Sequence, residues 1–261
     1  MKVGFVQFNP EFGEKNSNCG VVERLLHGVH ADVLVLPELF NTGYAFLNKN
    51  ELAALAEPVK GETFAFIQDL ARRSNSAIAY GFAERSDNQF YNSMSFVTPN
   101  GLIATYRKSH LYFEEKYIFQ PGDIGFKPFE YEGIKFGLLI CWDWIYPEAM
   151  RTLALKGAQI ILHCANLVTP YCPDAMITRA IENRVFIVTA ARAGDEIRDS
   201  KRFHFIGKSQ VVTQNGDIMI RVAEETCTKV INIDARLALN KKMNAHNDLF
   251  VDRRESLYYK Q

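Results

Sequence analysis

Short, continuous apolar segments recur along this chain and alternate with segments that have helical periodicity. A segment that is apolar at successive positions is typical of a strand buried on both faces, and alternation of such strands with helices favours an α/β fold. The predicted strands cover residues 33–36, 78–82, 94–97, 136–140, 160–162 and 186–189, after a first buried strand within residues 1–8.

Capping residues and amphipathic spacing mark four helices between these strands. We expect them to begin at Ser17, Thr63, Pro147 and Asp174 and to end near residues 30, 75, 156 and 183. Two turn sequences, PNG at residues 99–101 and NG at residues 215–216, predict antiparallel hairpins. The strands should therefore form mixed sheets covered by helices.

The size and composition favour one large domain. The 261 residues are 48% hydrophobic and contain no repeat or linker, so we expect a single domain over residues 1–261 with a charged, aromatic tail from about residue 240. Thirty basic residues balance 30 acidic ones, which argues against nucleic acid or an anionic membrane as a partner. The N-terminal apolar run is too short for a signal or membrane segment, so we expect a cytoplasmic protein.

The predicted strands 33–36 and 136–140, and a third over residues 102–106, are followed at their carboxyl ends by a polar, potentially reactive residue: Glu38, Cys141 and Lys108, respectively. Ligands collect at this end of the strands in α/β sheets. A cation near a cysteine raises its thiolate population, and Lys108 is a candidate for that cation. Glu38 is a candidate for the group that takes the thiol proton and returns it to a leaving amine.

Each of these residues also has an ordinary structural interpretation. A buried cysteine at a strand end usually packs as a small apolar side chain, Glu38 after a proline fits a surface turn, and Lys108 fits a solvated position. The five cysteines are an odd number without a C-x-x-C pair, so we expect neither a disulfide framework nor a zinc ribbon.

The residues around the three candidates resemble a known family. The segments LPELFNTGY (36–44), YRKSHL (106–111) and GLLICWD (137–143), in this order, are similar to the three signatures of the nitrilase superfamily of carbon–nitrogen hydrolases. The resemblance extends to NDLFVDRR (247–254) in the tail. Within the family, the chain looks most like the archaeal nitrilases that act on small aliphatic nitriles.

This resemblance implies a catalytic set and a fold. Cys141 would be the nucleophile, Glu38 the general base, Lys108 the group that stabilises the oxyanion, and Glu115 a second glutamate that positions Lys108 or the substrate. Glu114, beside it, fits the family spacing less well. The family fold is a four-layer α-β-β-α sandwich, usually a homodimer whose C-terminal segments cross between subunits, and it needs no metal or organic cofactor. The reaction would pass through a thioester and release ammonia and a carboxylic acid.

Five residues are candidates for the substrate pocket: Tyr44, Trp142, Trp144, Ile145 and Asn166. Family members that act on amides of amino-dicarboxylic acids carry an arginine at the position of Ile145. An apolar side chain there cannot pair with a buried carboxylate, so we expect a small, neutral nitrile or amide. A carbamoyl amine remains an alternative, because carbamoyl amidases share the Cys-Trp-Asp sequence. Core packing for Trp144 and a turn-stabilising role for Asn166 also remain open.

Three other functions deserve comparison with thiol hydrolysis. His163 and Cys164 suggest a metal site, but adjacent residues of a strand point to opposite faces. A papain-like protease would use a histidine such as His110 beside Cys141, yet the local papain signatures are absent. A non-catalytic binding or regulatory protein on the same scaffold would have no chemical need for the complete Glu, Lys and Cys set.

Overall fold

The computed structural model describes residues 1–258, and Tyr259, at the aromatic end of the predicted tail, lies outside the described residues together with Lys260 and Gln261. The strands are β1 (Lys2–Gln7), β2 (Val33–Val35), β3 (Ala77–Ser86), β4 (Gln89–Thr98), β5 (Gly101–Arg107), β6 (Phe129–Tyr131), β7 (Ile134–Ile140), β8 (Ile160–Ala165), β9 (Phe186–Ala191), β10 (Ala193–Arg198), β11 (Lys201–Ile206), β12 (Gln210–Val212), β13 (Ile218–Arg221) and β14 (Cys227–Asn232). The α-helices are α1 (Lys15–Leu26), α2 (Lys49–Leu55), α3 (Glu62–Ser74), α4 (Glu115–Ile118), α5 (Pro147–Leu155) and α6 (Tyr171–Asn183).

Two six-stranded mixed sheets form the centre of the molecule, in the orders β14-β1-β2-β3-β4-β5 and β13-β12-β9-β8-β7-β6. Strands β1, β2 and β3 are parallel in the first sheet, and β7, β8 and β9 are parallel in the second. The outer strands join them antiparallel, including the two pairs predicted from turn sequences, β4–β5 and β12–β13. A separate hairpin consists of β10 and β11.

The apolar strands are buried on both faces because each sheet lies between a helical layer and the other sheet. In β2, Val33 and Val35 pack in the cluster shared with the second sheet, whereas Leu34 packs with residues of α1 and α3. Helices α5 and α6 contact the second sheet and each other. The layers therefore follow the order helix, sheet, sheet, helix, and the predicted α-β-β-α sandwich is confirmed.

Three of the four predicted helix starts are wrong, and in two of them a charged side chain engages the expected cap. Ser17 and Thr63 lie inside α1 and α3, and the Thr63 hydroxyl hydrogen-bonds the buried Glu57 carboxylate. Helix α6 begins before Asp174, whose carboxylate pairs with Arg221 at 2.7 Å. The start of α5 at Pro147 is confirmed.

The C-terminal tail is fastened to α6 at its beginning and exposed towards its end. The Lys241 ammonium donates to the carbonyl oxygens of Asn183 and Arg184, both at 3.0 Å. Leu257 is 66% exposed and Tyr258 is 48% exposed. The single domain and the dimer interface at this tail stay predictions. Across residues 1–258, no helix is both long enough and apolar enough to cross a membrane.

Candidate active site

The three predicted strand ends come from both sheets and point to one buried region. Strands β2 and β5 run in the same direction within the first sheet, so the chain leaves both at the same edge, towards Glu38 and Lys108. Strand β7 of the second sheet ends at Ile140, directly before Cys141. Glu38 and Lys108 are fully buried, Glu115 is 5% exposed and Cys141 is 6% exposed. The surface-turn interpretation of Glu38 and the solvated interpretation of Lys108 are therefore wrong.

Lys108 joins two carboxylates. Its Nζ atom donates to Glu38 Oε1 at 2.7 Å and to Glu115 Oε1 at 2.8 Å. Burial opposes the charge on this ammonium, but the Glu115 and Glu38 carboxylates outweigh burial and raise the pKa of Lys108 well above its ordinary value. The lysine is charged at neutral pH. An ammonium has three N–H groups, so one remains after the two carboxylates are satisfied.

Glu38 keeps one oxygen available. Its Oε1 accepts from Lys108 and from Asn92 Nδ2, the latter at 2.7 Å. Its Oε2 is buried, and no protein group among the described residues hydrogen-bonds it. Gly81 packs directly behind this residue, where a Cβ atom would lie 2.7 Å from the Glu38 Cα. The carboxylate is thus held by one oxygen while the other is free to take up a proton.

Glu115 is in contact with Lys108, and Glu114 is not part of this group. The second oxygen of Glu115, Oε2, accepts from the Tyr112 backbone N–H at 3.0 Å. Burial raises the pKa of Glu115, and the charge of Glu38 adds to this effect, while Lys108 opposes it. Glu114 instead pairs with Lys201 and is about one-third exposed. The spacing that favoured Glu115 over Glu114 thus selected the residue that contacts Lys108.

Cys141 occupies a strained turn between β7 and a 3-10 helix, Cys141–Ile145. Its φ is +40°, in the left-handed region that residues other than glycine rarely adopt. Its Sγ donates to the Asn166 carbonyl oxygen at 3.7 Å. Burial and the charge of Glu38 raise the pKa of the Cys141 thiol well above its ordinary value, although Lys108 acts in the opposite direction. These effects favour the protonated thiol in the resting site, and Glu38 is the neighbouring base that can accept its proton.

Two buried side chains hold this turn in place. Asp143 Oδ2 accepts from the Ile140 backbone N–H at 3.0 Å and from the Tyr106 hydroxyl at 2.8 Å. His163 Nε2 lies 3.1 Å from the Cys141 carbonyl oxygen, as a donor. Burial lowers the pKa of His163 to about 4, so the ring is neutral at pH 7. Sequence reasoning missed both roles, and only the position of Asp143 two residues after the cysteine offered a signal.

The histidines considered for other functions are engaged elsewhere. His163 contacts the Cys141 backbone and lies 3.3 Å from the Thr189 hydroxyl, while His110 Nδ1 lies 2.8 Å from Asp143. His110 therefore pairs with a carboxylate rather than with the thiol. In the part of the chain that is described, no three His, Cys, Asp or Glu side chains are grouped so that they could hold a metal.

Tyr44 and Asn166 lie against the catalytic candidates. The Asn166 side-chain amide donates to the Glu38 carbonyl oxygen at 3.1 Å, so Asn166 links the Glu38 loop to the Cys141 thiol. Burial and then the charges of Glu115, Glu38 and Cys141 raise the pKa of Tyr44 well above its ordinary value, and its phenol stays neutral. Its ring packs edge-on against Phe203 at a centroid distance of 5.8 Å.

The two tryptophans and Ile145 have different surroundings. Trp142 packs against the Tyr112 ring at 4.9 Å, and Trp144 is 7% exposed within a core cluster that also includes residues of α5 and α6. Ile145 is 37% exposed, and its carbonyl oxygen accepts from Arg179. Ile145 is more exposed than the buried catalytic candidates, and its role in selecting neutral substrates stays a prediction.

Known proteins are similar to this chain along its whole length. A sequence model described as carbon-nitrogen hydrolase matches residues 2–241. A nitrilase of Pyrococcus abyssi is 43% identical, with 100% of each chain covered. An (R)-stereoselective amidase of a Pseudomonas species is 34% identical over 90% of this chain and 85% of its own. The solved carbon-nitrogen hydrolase of Helicobacter pylori G27 superposes with a TM-score of 0.88 at 25% identity, covering 99% of this chain and 96% of its own.

Proposed function

The chain belongs to the carbon–nitrogen hydrolase family, and we propose that it hydrolyses a small nitrile or amide through a Cys141 thioester, releasing ammonia and a carboxylic acid. The observation that carries this proposal is the buried contact between Glu38, Lys108 and Glu115 together with a protonated cysteine in a strained turn. A nucleophile, a base and a fixed positive charge are what covalent hydrolysis requires.

In the first step, Sγ of Cys141 attacks the carbon of the substrate while its proton passes to the unpartnered Oε2 of Glu38. A nitrile gives a thioimidate and an amide gives a tetrahedral intermediate. The remaining N–H of Lys108 and the backbone N–H of Trp142 stabilise the negative charge that develops on the attacked group. Glu115 keeps the Lys108 ammonium in place.

In the next steps, Glu38 returns its proton to the substrate nitrogen, and ammonia leaves from a tetrahedral intermediate. For a nitrile, one water adds to the thioimidate before ammonia departs. A thioester to Cys141 remains. Glu38 then deprotonates a second water, or the first for an amide, which attacks the thioester and releases the acid with the thiol restored.

The substrate proposal is a small neutral nitrile or amide. The similarity to a nitrilase and to an amidase supports both groups, because both reach the same thioester. A carbamoyl amine is the alternative, since replacing the acyl group by a carbamoyl group leaves the attack on carbon unchanged. Polar contacts to the substrate around the attacked carbon come from the Tyr44 phenol, the Lys108 ammonium and the Asn166 amide.

The test is ammonia release across a panel of small aliphatic nitriles, amides and carbamoyl amines. Cys141→Ala should lower turnover at least about a thousandfold without loss of folded structure by circular dichroism. Cys19→Ala is the matched control, because Cys19 lies in α1 and burial raises its pKa to about 12 without any catalytic partner. Quenched intact-mass measurements should show an acyl adduct on the wild-type chain that Cys141→Ala lacks.

A non-catalytic binding protein makes the opposite prediction. The wild-type chain would release no ammonia from any compound of the panel, and Cys141→Ala would bind the compounds as the wild type does. Retained turnover in Cys141→Ala would refute the thioester mechanism even if the chain is an enzyme.

We also propose a homodimer. Its support is the set of exposed apolar side chains on the turn after Cys141, on α5 and in the tail, which includes Ile145, Tyr146, Leu155, Val251 and Leu257. Light scattering after size exclusion should give about twice the chain mass of 29.7 kDa. Truncation after residue 245 should shift this mass towards that of the monomer.

A further inference from the structure

A narrow cavity lies beside the catalytic candidates and is lined mostly by apolar side chains. Its volume is about 20 Å³, so it admits only a small group. Two of its lining residues belong to the group around Lys108. Glu115 accepts a hydrogen bond from the Lys108 ammonium at 2.8 Å, and Tyr44 lies close enough to Glu115 for that carboxylate to raise the Tyr44 pKa. The aromatic lining consists of Tyr44, Phe46, Phe113, Phe119 and Phe203, and Ala45 and Ile118 complete the apolar wall.

One ion pair crosses this lining. Lys201, the first residue of β11, pairs with Glu114, which directly precedes α4, and each side chain is 35% exposed. The remaining charge on the lining is Glu115, which is occupied by Lys108. A group that enters the cavity therefore meets an apolar wall and two opposite charges that neutralise each other.

We propose that this cavity receives the part of the substrate that lies beyond the attacked carbon, and that the Glu114–Lys201 pair makes it select neutral substrates. The proposal rests on the proposed function for the identity of the substrate. A carboxylate at the far end of a substrate would have to displace Glu114 from Lys201, and an ammonium would have to displace Lys201 from Glu114. Either exchange leaves one partly buried charge without a partner, which is unfavourable.

Removing Glu114 or Lys201 should therefore shift the preference towards substrates whose charge is opposite to that of the residue that remains. Glu114→Gln leaves Lys201 unpaired, so kcat/KM for ω-carboxylate amides relative to neutral amides should rise about three- to tenfold. Lys201→Met leaves Glu114 unpaired. The kcat/KM for ω-carboxylate amides relative to neutral amides should then fall, and that for ammonium-bearing amides relative to neutral amides should rise. The ratio of kcat/KM values is the readout, because it cancels changes common to all substrates.

The matched control is Arg202→Met. Arg202 is the next residue of β11, and it pairs with Asp195 at 2.8 Å on the exposed side of the same hairpin. This variant removes one positive charge from the hairpin outside the cavity lining. Its substrate ratios should equal those of the wild type. Equal ratios in all three variants would overturn the proposal.

Alkylation of Cys141 provides a readout that needs no turnover. Iodoacetate and iodoacetamide differ by one negative charge, so the ratio of their rates at Cys141 reports the charge of the path to the thiol. Glu114→Gln should raise this ratio, Lys201→Met should lower it, and Arg202→Met should leave it unchanged. If no compound of the substrate panel yields ammonia but these alkylation ratios shift, the proposed function is wrong, whereas the charge selection by the Glu114–Lys201 pair is supported. If ammonia is released but neither ratio shifts, only the cavity proposal fails.

Discussion

Replacing Lys108 by Met tests whether its buried ammonium stabilises the two buried carboxylates of Glu38 and Glu115. Its Nζ lies 2.7 Å from Glu38 and 2.8 Å from Glu115, and the side chains are 0%, 0% and 4% exposed. Breaking a buried pair by removing one partner costs about 3–5 kcal/mol, because the remaining charge is left uncompensated. Since two carboxylates depend on this lysine, we expect Lys108→Met to lower the free energy of unfolding by at least that amount at pH 7.

The pH dependence separates this cause from lost packing. In Lys108→Met, the uncompensated carboxylates take up protons at a higher pH in the folded chain than in the unfolded chain. The loss in free energy of unfolding relative to the wild type is therefore largest at pH 7. It decreases as the pH falls, by about 1.4 kcal/mol per pH unit for each extra proton bound by the folded chain. Urea unfolding at pH 7 and pH 5, followed by tryptophan fluorescence, measures both values.

Two further variants complete the test. Adding Glu115→Gln to Lys108→Met should recover part of the lost stability, since one unpaired carboxylate is removed. Lys156→Met is the control, because that ammonium makes a 2.9 Å hydrogen bond to the Phe126 carbonyl at the exposed surface, and its loss should change stability by less than about 1 kcal/mol. A Lys108→Met deficit below about 1 kcal/mol, or one that does not change with pH, would refute the reasoning.

Two other residues yield separate predictions. Burial lowers the His163 pKa from 6.5 to about 4 in the folded chain. Between these two pH values the unfolded chain binds a proton that the folded chain does not. The free energy of unfolding of the wild type should therefore fall by about 3 kcal/mol from pH 7 to pH 4 because of this group. His163→Gln should lose this component in urea unfolding across the same range; an unchanged slope would contradict it. Gly81→Ala places a Cβ 2.7 Å from the Glu38 Cα and should cost about 1–3 kcal/mol and lower kcat. Gly20→Ala, whose Cβ would lie 3.6 Å from the Arg24 side chain, should be neutral or stabilising; equal stability of both variants would contradict the close-packing claim.

Much of the fold could be predicted because the strands have a local signature. Residues such as Leu138 and Ile161 lie in continuous apolar segments, and such segments belong to strands that are covered on both faces. The ends of helices were less predictable. Thr63 has the side chain of a cap, but it lies inside the helix, where the carboxylate of the preceding Glu57 accepts from both its backbone N–H and its hydroxyl.

The candidate site was predictable only in part. Glu38, Lys108 and Cys141 were found because each follows an apolar strand, which is a local feature of the sequence. Asn92 was missed because it reaches Glu38 from the middle of a strand, across 54 residues of sequence. Ile145 was assigned to the pocket by its spacing from Cys141, yet the turn leaves it 37% exposed.

The sequence by itself determined the layered fold, the family and which residue types stand at three strand ends, since these depend on neighbouring positions along the chain. The tertiary structure alone decided the state of those residues. Burial of Cys141 beside Glu38 keeps its thiol protonated, and two carboxylates around Lys108 keep its ammonium charged. Both outcomes depend on desolvation and on charges a few ångströms away, which exist only when two sheets bring distant strand ends together.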